Sequence, residues 1–409
     1  MEKVADKKDL FIFTNKYPYG SGETFIENEL IALSEKFKTI YIVPLSAEGE
    51  SRELLKTNFK VVDLYNGKKT DSGNFFFKNI FSNMSLLYSE WKMVPSPEKS
   101  IKTFRRLRSI LSVNLFRAAL LEKYLQANTF HQPVYYSFWT DDWAIVLGIL
   151  KEKVIIPGFT SRVHGYDLYK ERWPGNFIPF REFQLKQVSR IYAVSLDGLA
   201  YLKSNHSRWK EKFFLLHLNT IDRGTNPFND KEFVMVSCSS LIPLKRVHLI
   251  LQAVKQLSFK MRWIHFGDGP EMLNLQTEIN QWGLTSVIEL RGHISNKALS
   301  EFYRETPVNL FIHLSETEGG VPLVLQEAAS FGIPLMGTDA GGIPEIVNEH
   351  TGILLPKNVE GDYVASKITA FKDGGKNSIE FRNRVKLFWN SNFDGAKNAE
   401  KLYKMLSDN

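Results

Sequence analysis

The chain has 409 residues, more than one ordinary hydrophobic core serves, and its 43% hydrophobic and 24% charged residues suit two globular α/β domains of roughly 200 residues each. A single cysteine, Cys238, excludes a disulfide framework and any cysteine-based zinc site, and no apolar run approaches the roughly 18–20 residues of a membrane span. The net charge of +7 is uneven: residues 1–224 carry 33 Lys and Arg against 24 Asp and Glu, the remainder 19 against 21, so the two parts are suited to different partners.

The opening stretch lacks the long apolar segment of a secretory signal, which makes a cytoplasmic location the expectation. DLFIFTN (9–15) reads as a strand. Gly20 and Gly22 then form a tight turn, and a helix starting at Glu23 or Thr24 turns Phe25, Ile26, Leu30 and Leu33 inward. TIYIVPL and VYYSFWT are further strands of the same sheet. Between them, residues 99–123 carry seven cations and one acid, with Ile101, Phe104, Leu107, Leu111 and Leu115 at helical spacing. Such a basic amphipathic helix either packs its stripe on its own sheet or lies in an anionic membrane interface, with the nearby FFFKNIFSNMSLLY adding aromatic surface. In SRVHGYDLY (161–169), His164 and Asp167 flank a glycine. A lone histidine is more often a packing residue than a catalyst. FRNRVKLFWNSNFDGAKNAEKLYKML, near the end, is helical with a break near Trp389 and Phe393.

From Phe233 onward short apolar strands alternate with helices: strands at 233–238, 262–267, 287–292, 308–314 and 333–338, helices at 247–257 and 296–305, the latter with Asn296 as N-cap. Uniformly apolar strands in that alternation specify a parallel sheet covered on both faces, with ligands at the carboxyl ends of its strands. The residues just after each strand are accordingly the informative ones. Lys245 and Arg246 precede a helix, where two cations and free backbone N–H groups suit phosphate oxygens. Gly267-Asp268-Gly269-Pro270 follows the second strand. After the fourth, Glu318-Gly319-Gly320 leads through Pro322 into a helix bearing Glu327, so two carboxylates able to bind vicinal hydroxyls bracket an electropositive turn. The same residues also suit a structural ion-pair network. Ala340-Gly341-Gly342 supplies a second close-approach loop after the fifth strand.

In this order, K-R, F-G-D-G-P, E-G-G-V-P…Q-E-A, F-G-I-P…G-T-D-A-G-G-I-P-E-I-V and T-G-I-L-L-P resemble the retaining GT-B glycosyltransferases of the group 1 type, also called family 4. The resemblance covers most of the chain and is densest over 233–356. It implies two Rossmann-like domains facing each other across a cleft: an acceptor domain over 1–224 with helix 388–409 packed back on it, and a donor domain over 225–387. It implies a catalytic trio of His164, Glu318 and Lys245, with Lys245 neutralising the diphosphate and Glu318 holding sugar hydroxyls. Glu327 would hold the ribose, with Arg246, Gly319, Gly320, Gly267 and Val321 completing the donor side. Gly20, Gly22, Asp167 and Arg162 would line the acceptor side, with Asn219 reaching the same region. It implies a nucleotide-sugar donor, a glycan or lipid-linked acceptor, and no cofactor; no D-x-D metal motif follows a strand. Retention would proceed without a nucleophilic carboxylate.

Two departures stand out. The resembled family spaces its two glutamates eight residues apart, whereas Glu318 and Glu327 are nine apart, and Ser239-Ser240 stand where the family often has Gly-Arg. A hexosyltransferase of surface polysaccharide assembly at the inner face of the membrane is the leading expectation. A sugar-nucleotide epimerase of the same architecture and a non-catalytic sugar-nucleotide-binding protein are the alternatives. A nucleic-acid-binding role is disfavoured, because the cations form no recognisable binding module with aromatics.

Overall fold

The computed structural model describes residues 7–20, 22–54, 56–65, 80–229 and 231–407, with the backbone alone at 80–82. It divides into two compact units, one made of Met1–Val194, Gly198–Leu216 and Ala399–Asn409, the other of Ser195–Asp197 and His217–Asn398.

In chain order the first unit contains β1 (Asp9–Thr14), α1 (Ile26–Ser34), β2 (Thr39–Pro44), β3 (Phe59–Val61), α2 (Ile80–Met93), α3 (Ile101–Ala127), β4 (Val134–Ser137), α4 (Asp142–Glu152), β5 (Thr160–Val163), α5 (Arg181–Gln187), β6 (Arg190–Ala193), most of α6 (Leu196–Asn205), and β7 (Phe213–Leu215). Its seven strands are all parallel, in the order β3-β2-β1-β4-β5-β6-β7. Leu10, Phe11, Ile12 and Phe13 are all fully buried, as a central strand covered on both faces requires. The order reverses between β1 and β4, which places the ligand crevice of such a sheet between the loops that follow those strands.

Helix α3 begins at Ser100, whose hydroxyl accepts from the Thr103 N–H. Leu107, Leu111, Ala118 and Leu121 are buried in the core, with Phe104 and Leu115 packed against it. Most of the apolar stripe is therefore spent inside the unit, while Ile101, Lys102, Arg105, Arg106 and Arg108 remain exposed. Of the aromatic stretch over 75–88, residues 75–79 lie outside the described residues; in α2, Met84 and Tyr88 are exposed. No described helix is long and apolar enough to cross a membrane.

The second unit contains β8 (Phe233–Cys238), α7 (Val247–Gln256), β9 (Met261–Phe266), α8 (Met272–Gln281), β10 (Ile288–Leu290), α9 (Asn296–Glu305), β11 (Leu310–His313), α10 (Leu323–Ser330), β12 (Leu335–Thr338), β13 (Gly352–Leu355), α11 (Gly361–Asp373) and α12 (Ile379–Asn392), after which comes α13 (Gly395–Ser407). Its six parallel strands run β10-β9-β8-β11-β12-β13, reversing between β8 and β11. The N-cap of α9 is Ser295 rather than Asn296: the serine hydroxyl accepts from the Ala298 N–H, which leaves Asn296 as the first helical residue. Leu325, Ala328 and Ala329 of α10 and Trp389 of α12 share one apolar cluster, so the helix bearing Glu327 is anchored from two sides.

The division between the units differs from that expected at 224 and 388. It falls after Leu216 and before Ala399. Thr220 holds it there, its hydroxyl accepting from Trp389 Nε1 at 2.8 Å and its N–H donating to the Phe393 carbonyl at 3.3 Å. Trp389 and Phe393 sit in the second unit's core, so α12 stays with that unit, and the first recovers only the part of α13 from Ala399 on.

Candidate functional site

In the second unit the loops after β8 and β11 flank the strand-order reversal, and Lys245 and Glu318 come from those two loops. Lys245 Nζ donates to Glu318 Oε1. His313, at the end of β11, lies 2.8 Å from the same oxygen through Nε2. Burial alone would raise the Glu318 carboxyl, but His313 and Lys245 override it and hold the group at about 2. The two glycine loops meet each other. A Cβ at Gly341 would lie 2.2 Å from the Glu318 carbonyl oxygen, and one at Gly342 2.5 Å from the Gly320 carbonyl carbon. The close approach expected of Ala340-Gly341-Gly342 is thus made to this chain's own turn. Gly267 behaves likewise: at φ 134° its Cβ would sit 1.8 Å from the Ser239 carbonyl oxygen.

Glu327 is the fifth residue of α10, a helix that opens behind Pro322. Burial pushes its carboxyl up to about 7, opposed by the charge of Arg223. Cys238 lies nearby, its thiol pushed up to about 12 by burial and then by the Glu327 charge. Burial likewise raises the Tyr303 phenol well above its ordinary value, with Cys238 and Glu327 adding to the effect. Val321 is buried, and its carbonyl accepts from Gln326 Nε2 at 3.1 Å.

Arg246, expected on the donor side, is anchored to backbone. It adopts φ 49°, and its guanidinium donates to the carbonyls of Leu314, Lys357 and Ser315 at 2.7, 2.9 and 3.1 Å. Three of its five N–H groups go to backbone, so the residue ties the loop after β11 to the start of α7. Asn219 is buried, with its Oδ1 lacking a hydrogen-bond partner.

In the first unit the equivalent reversal brings together the loops after β1 and β4. Glu23, which the sequence reading gave to a helix start, instead adopts φ 56°, and α1 begins only at Ile26. The Glu23 carboxylate accepts from the backbone N–H groups of Asn15, Lys16 and Tyr17 at 3.0, 2.7 and 2.8 Å, and from Trp139 Nε1 at 2.5 Å. Neither Glu23 nor Trp139 is among the site residues expected from the sequence. The only local signal, an acid beside a glycine turn, is too common to mark such a cradle. Gly20 adopts φ 66° and accepts from Arg52 Nε at 2.8 Å; the Gly22 carbonyl accepts from the same guanidinium.

His164 packs its ring on Trp139, with centroids 4.2 Å apart, and near Phe138 at 5.0 Å. Both ring nitrogens are buried without a hydrogen-bond partner. Burial, then the Arg162 charge, pushes the ring well below its ordinary value, so His164 is neutral. Asp167 does not line an open surface. It is buried and accepts from the His164 N–H at 2.6 Å and the Thr140 N–H at 2.7 Å, holding the H-G-x-D turn closed. Arg162, on β5, is fully buried, its Nη1 2.6 Å from Glu29 Oε2 and its guanidinium over the rings of Tyr136 and Phe138. A separate groove of about 1450 Å³ in this unit, lined by Leu86, Glu90, Leu115, Phe183 and Trp209 among others, contains none of the residues assigned to the donor or acceptor side.

Residues 219–387 match the family model for glycosyl transferases group 1. The putative colanic acid biosynthesis glycosyltransferase WcaL of Salmonella typhimurium is 30% identical over 153 residues, 36% of this chain and 37% of that one. The gpi3 subunit of phosphatidylinositol N-acetylglucosaminyltransferase from Schizosaccharomyces pombe is 28% identical over 182 residues, 43% of this chain and 39% of that one. The chain thus spans little more than a third of the length of these curated relatives. Among solved structures, Anabaena Alr3699/HepE in complex with UDP and glucose aligns with a TM-score of 0.70 at 16% identity, covering 98% of this chain and 100% of that one. TarM aligns with a TM-score of 0.70 at 12% identity, covering 99% of each. The fold is GT-B.

Proposed function

We propose that this chain, whose residues 219–387 match the family model for glycosyl transferases group 1, transfers a hexose-type sugar from a nucleotide-sugar to a glycan or lipid-linked acceptor with retention of anomeric configuration. The observation that carries the proposal is the meeting of Lys245 and Glu318 at the strand-order reversal. One cation and one carboxylate there suit a diphosphate and the hydroxyls of the sugar attached to it. Glu327 supplies the acceptor for ribose hydroxyls. When the bond from the anomeric carbon to the diphosphate breaks, the charge developing on the leaving oxygen is countered by Lys245 and by N–H groups at the start of α10. The acceptor oxygen bonds the same carbon on the same face, and its proton passes to the departing phosphate. The reading assigns no step to a metal ion.

On the acceptor side we assign His164, neutral and set against Trp139, as a packing surface. Similarity to a putative colanic acid glycosyltransferase supports an acceptor in surface polysaccharide assembly. Any contact with an anionic membrane is assigned to the exposed cations of α3 and is electrostatic, because its leucine stripe is buried. Liposome co-sedimentation should therefore weaken steeply with salt, and no binding to anionic vesicles even at low salt would remove this part.

The main test is ligand-induced stabilisation by UDP, GDP, ADP and their sugar conjugates, with wild type beside Glu327→Ala. A ligand at 100 times its dissociation constant stabilises by about 2.7 kcal/mol. Stabilisation by one nucleotide family, lost in the variant, identifies the donor; silence toward all of them refutes the reading.

A further inference from the structure

His313 has no role in the reading above, yet it touches the carboxylate that the reading depends on. It closes β11, is buried, and reaches Glu318 Oε1 through Nε2 at 2.8 Å. The loop between them is pinned at its base: Thr338 Oγ1 donates to the Ser315 carbonyl at 2.7 Å, and Arg246 holds the Leu314 and Ser315 carbonyls. From that fixed base Glu318 turns back to His313.

We propose that His313 is a positioning residue: it fixes the Glu318 carboxylate so that Oε2 faces the hydroxyls of the donor's sugar. The inference rests on the donor-site reading and deepens it. Lys245 and His313 both converge on Oε1, which leaves Oε2 as the oxygen for a ligand. The two donors differ in what they are free to do. The lysine stem can swing toward a diphosphate, whereas the imidazole sits on a strand end, packed in place. When Lys245 turns to the leaving group, His313 alone keeps Glu318 aimed. The nine-residue interval between Glu318 and Glu327 gives this tie its purpose. Glu318 lies in the turn ahead of α10, outside the helix, so a side-chain anchor to β11 fixes what the helix does not.

The test uses the full chain and two variants, His313→Leu, which removes the N–H, and His313→Gln, whose amide reaches the same position. Affinities for UDP, GDP and ADP, and for their glucose and mannose conjugates, are measured by calorimetry, together with donor hydrolysis. The leucine variant should keep nucleoside diphosphate affinity within about twofold and lose about tenfold in affinity for the cognate nucleotide-sugar, the usual effect of one buried bond to a charged group. The glutamine variant should recover most of the loss. In a Glu318→Gln background, His313→Leu should have little further effect, since it acts through that carboxylate. If the leucine variant does not fold, His313→Asn, whose amide stops short of Oε1, takes its place.

Equal losses for diphosphate and nucleotide-sugar, or additive losses in the double variant, would overturn the proposal while leaving the donor site standing. Wild-type protein that binds no nucleotide would remove the donor site itself, and this inference with it.

Discussion

Replacing Glu327 by glutamine removes a charge without changing the shape of the side chain, and the structure fixes the direction of the effect. In the unliganded protein the carboxyl is raised from 4.5 to about 7 by burial, so folding favours the protonated form. The native state is then penalised progressively as pH rises from 4.5, where the unfolded chain loses the proton, to about 7, and the penalty levels off once the folded carboxyl ionises too. A shift of this size corresponds to about 3 kcal/mol at pH 8, falling below about 1 kcal/mol at pH 5. Glu327→Gln carries no such penalty. It should therefore be more stable than wild type at pH 8 by about 3 kcal/mol, and nearly equal to it at pH 5. Urea unfolding of the unliganded protein, followed by tryptophan fluorescence at pH 5, 6.5 and 8, measures the difference directly. The same variant should lose nucleotide binding, giving a protein that is sturdier and less capable. A difference that does not vary with pH, or a variant less stable at pH 8, would show that Glu327 does not sit in the desolvated setting described.

Glu318 should show the opposite signature. Its carboxyl is held at about 2, so its contribution to stability is present above 4.5 and is lost as pH falls from there toward 2; Glu318→Gln should destabilise at pH 7 and converge on wild type in acid, by the same unfolding assay. Glu29→Gln leaves Arg162 charged and without its partner in the first unit's core, and should cost about 3–5 kcal/mol, read as a lower urea midpoint. Trp389→Ala removes a fully buried ring and strands the Thr220 hydroxyl, and should cost about 3–5 kcal/mol in the second unit, seen as an earlier thermal transition that donor nucleotide partly restores.

The second unit was largely legible because its strands are short, apolar and evenly spaced, so the period of the pattern gives the sheet and the sheet gives the ligand end. Lys245 and Glu318 stand 73 positions apart in the chain, yet both fall just after strands, and a reversal of strand order between those strands is enough to make them meet. What failed to show was the direction in which a side chain points. Arg246 reads as a phosphate ligand beside Lys245, and no local pattern shows that a left-handed backbone there brings its guanidinium onto three carbonyls. Asp167 and Arg162, expected to line the acceptor side, are both buried, the first closing its own turn and the second reaching Glu29 through Nη1 alone. Glu23 illustrates the converse: its four donors come from two loops, and no local spacing could announce a carboxylate that folds back on the strand before it.

Cys238 carries a practical consequence. It is the chain's one cysteine, and its thiol is pushed up to about 12, so almost none of it is thiolate at neutral pH. Maleimides and similar reagents attack the thiolate, so the half-buried Cys238 should react with them slowly, which a thiol titration of the native protein checks. A cysteine introduced at an exposed position such as Leu273 or Leu387 would then label alone, without first removing the native one. Fluorophore pairs or spin labels could be placed on either unit in an otherwise unaltered chain, and the motions that accompany donor binding could be followed on the protein as it stands.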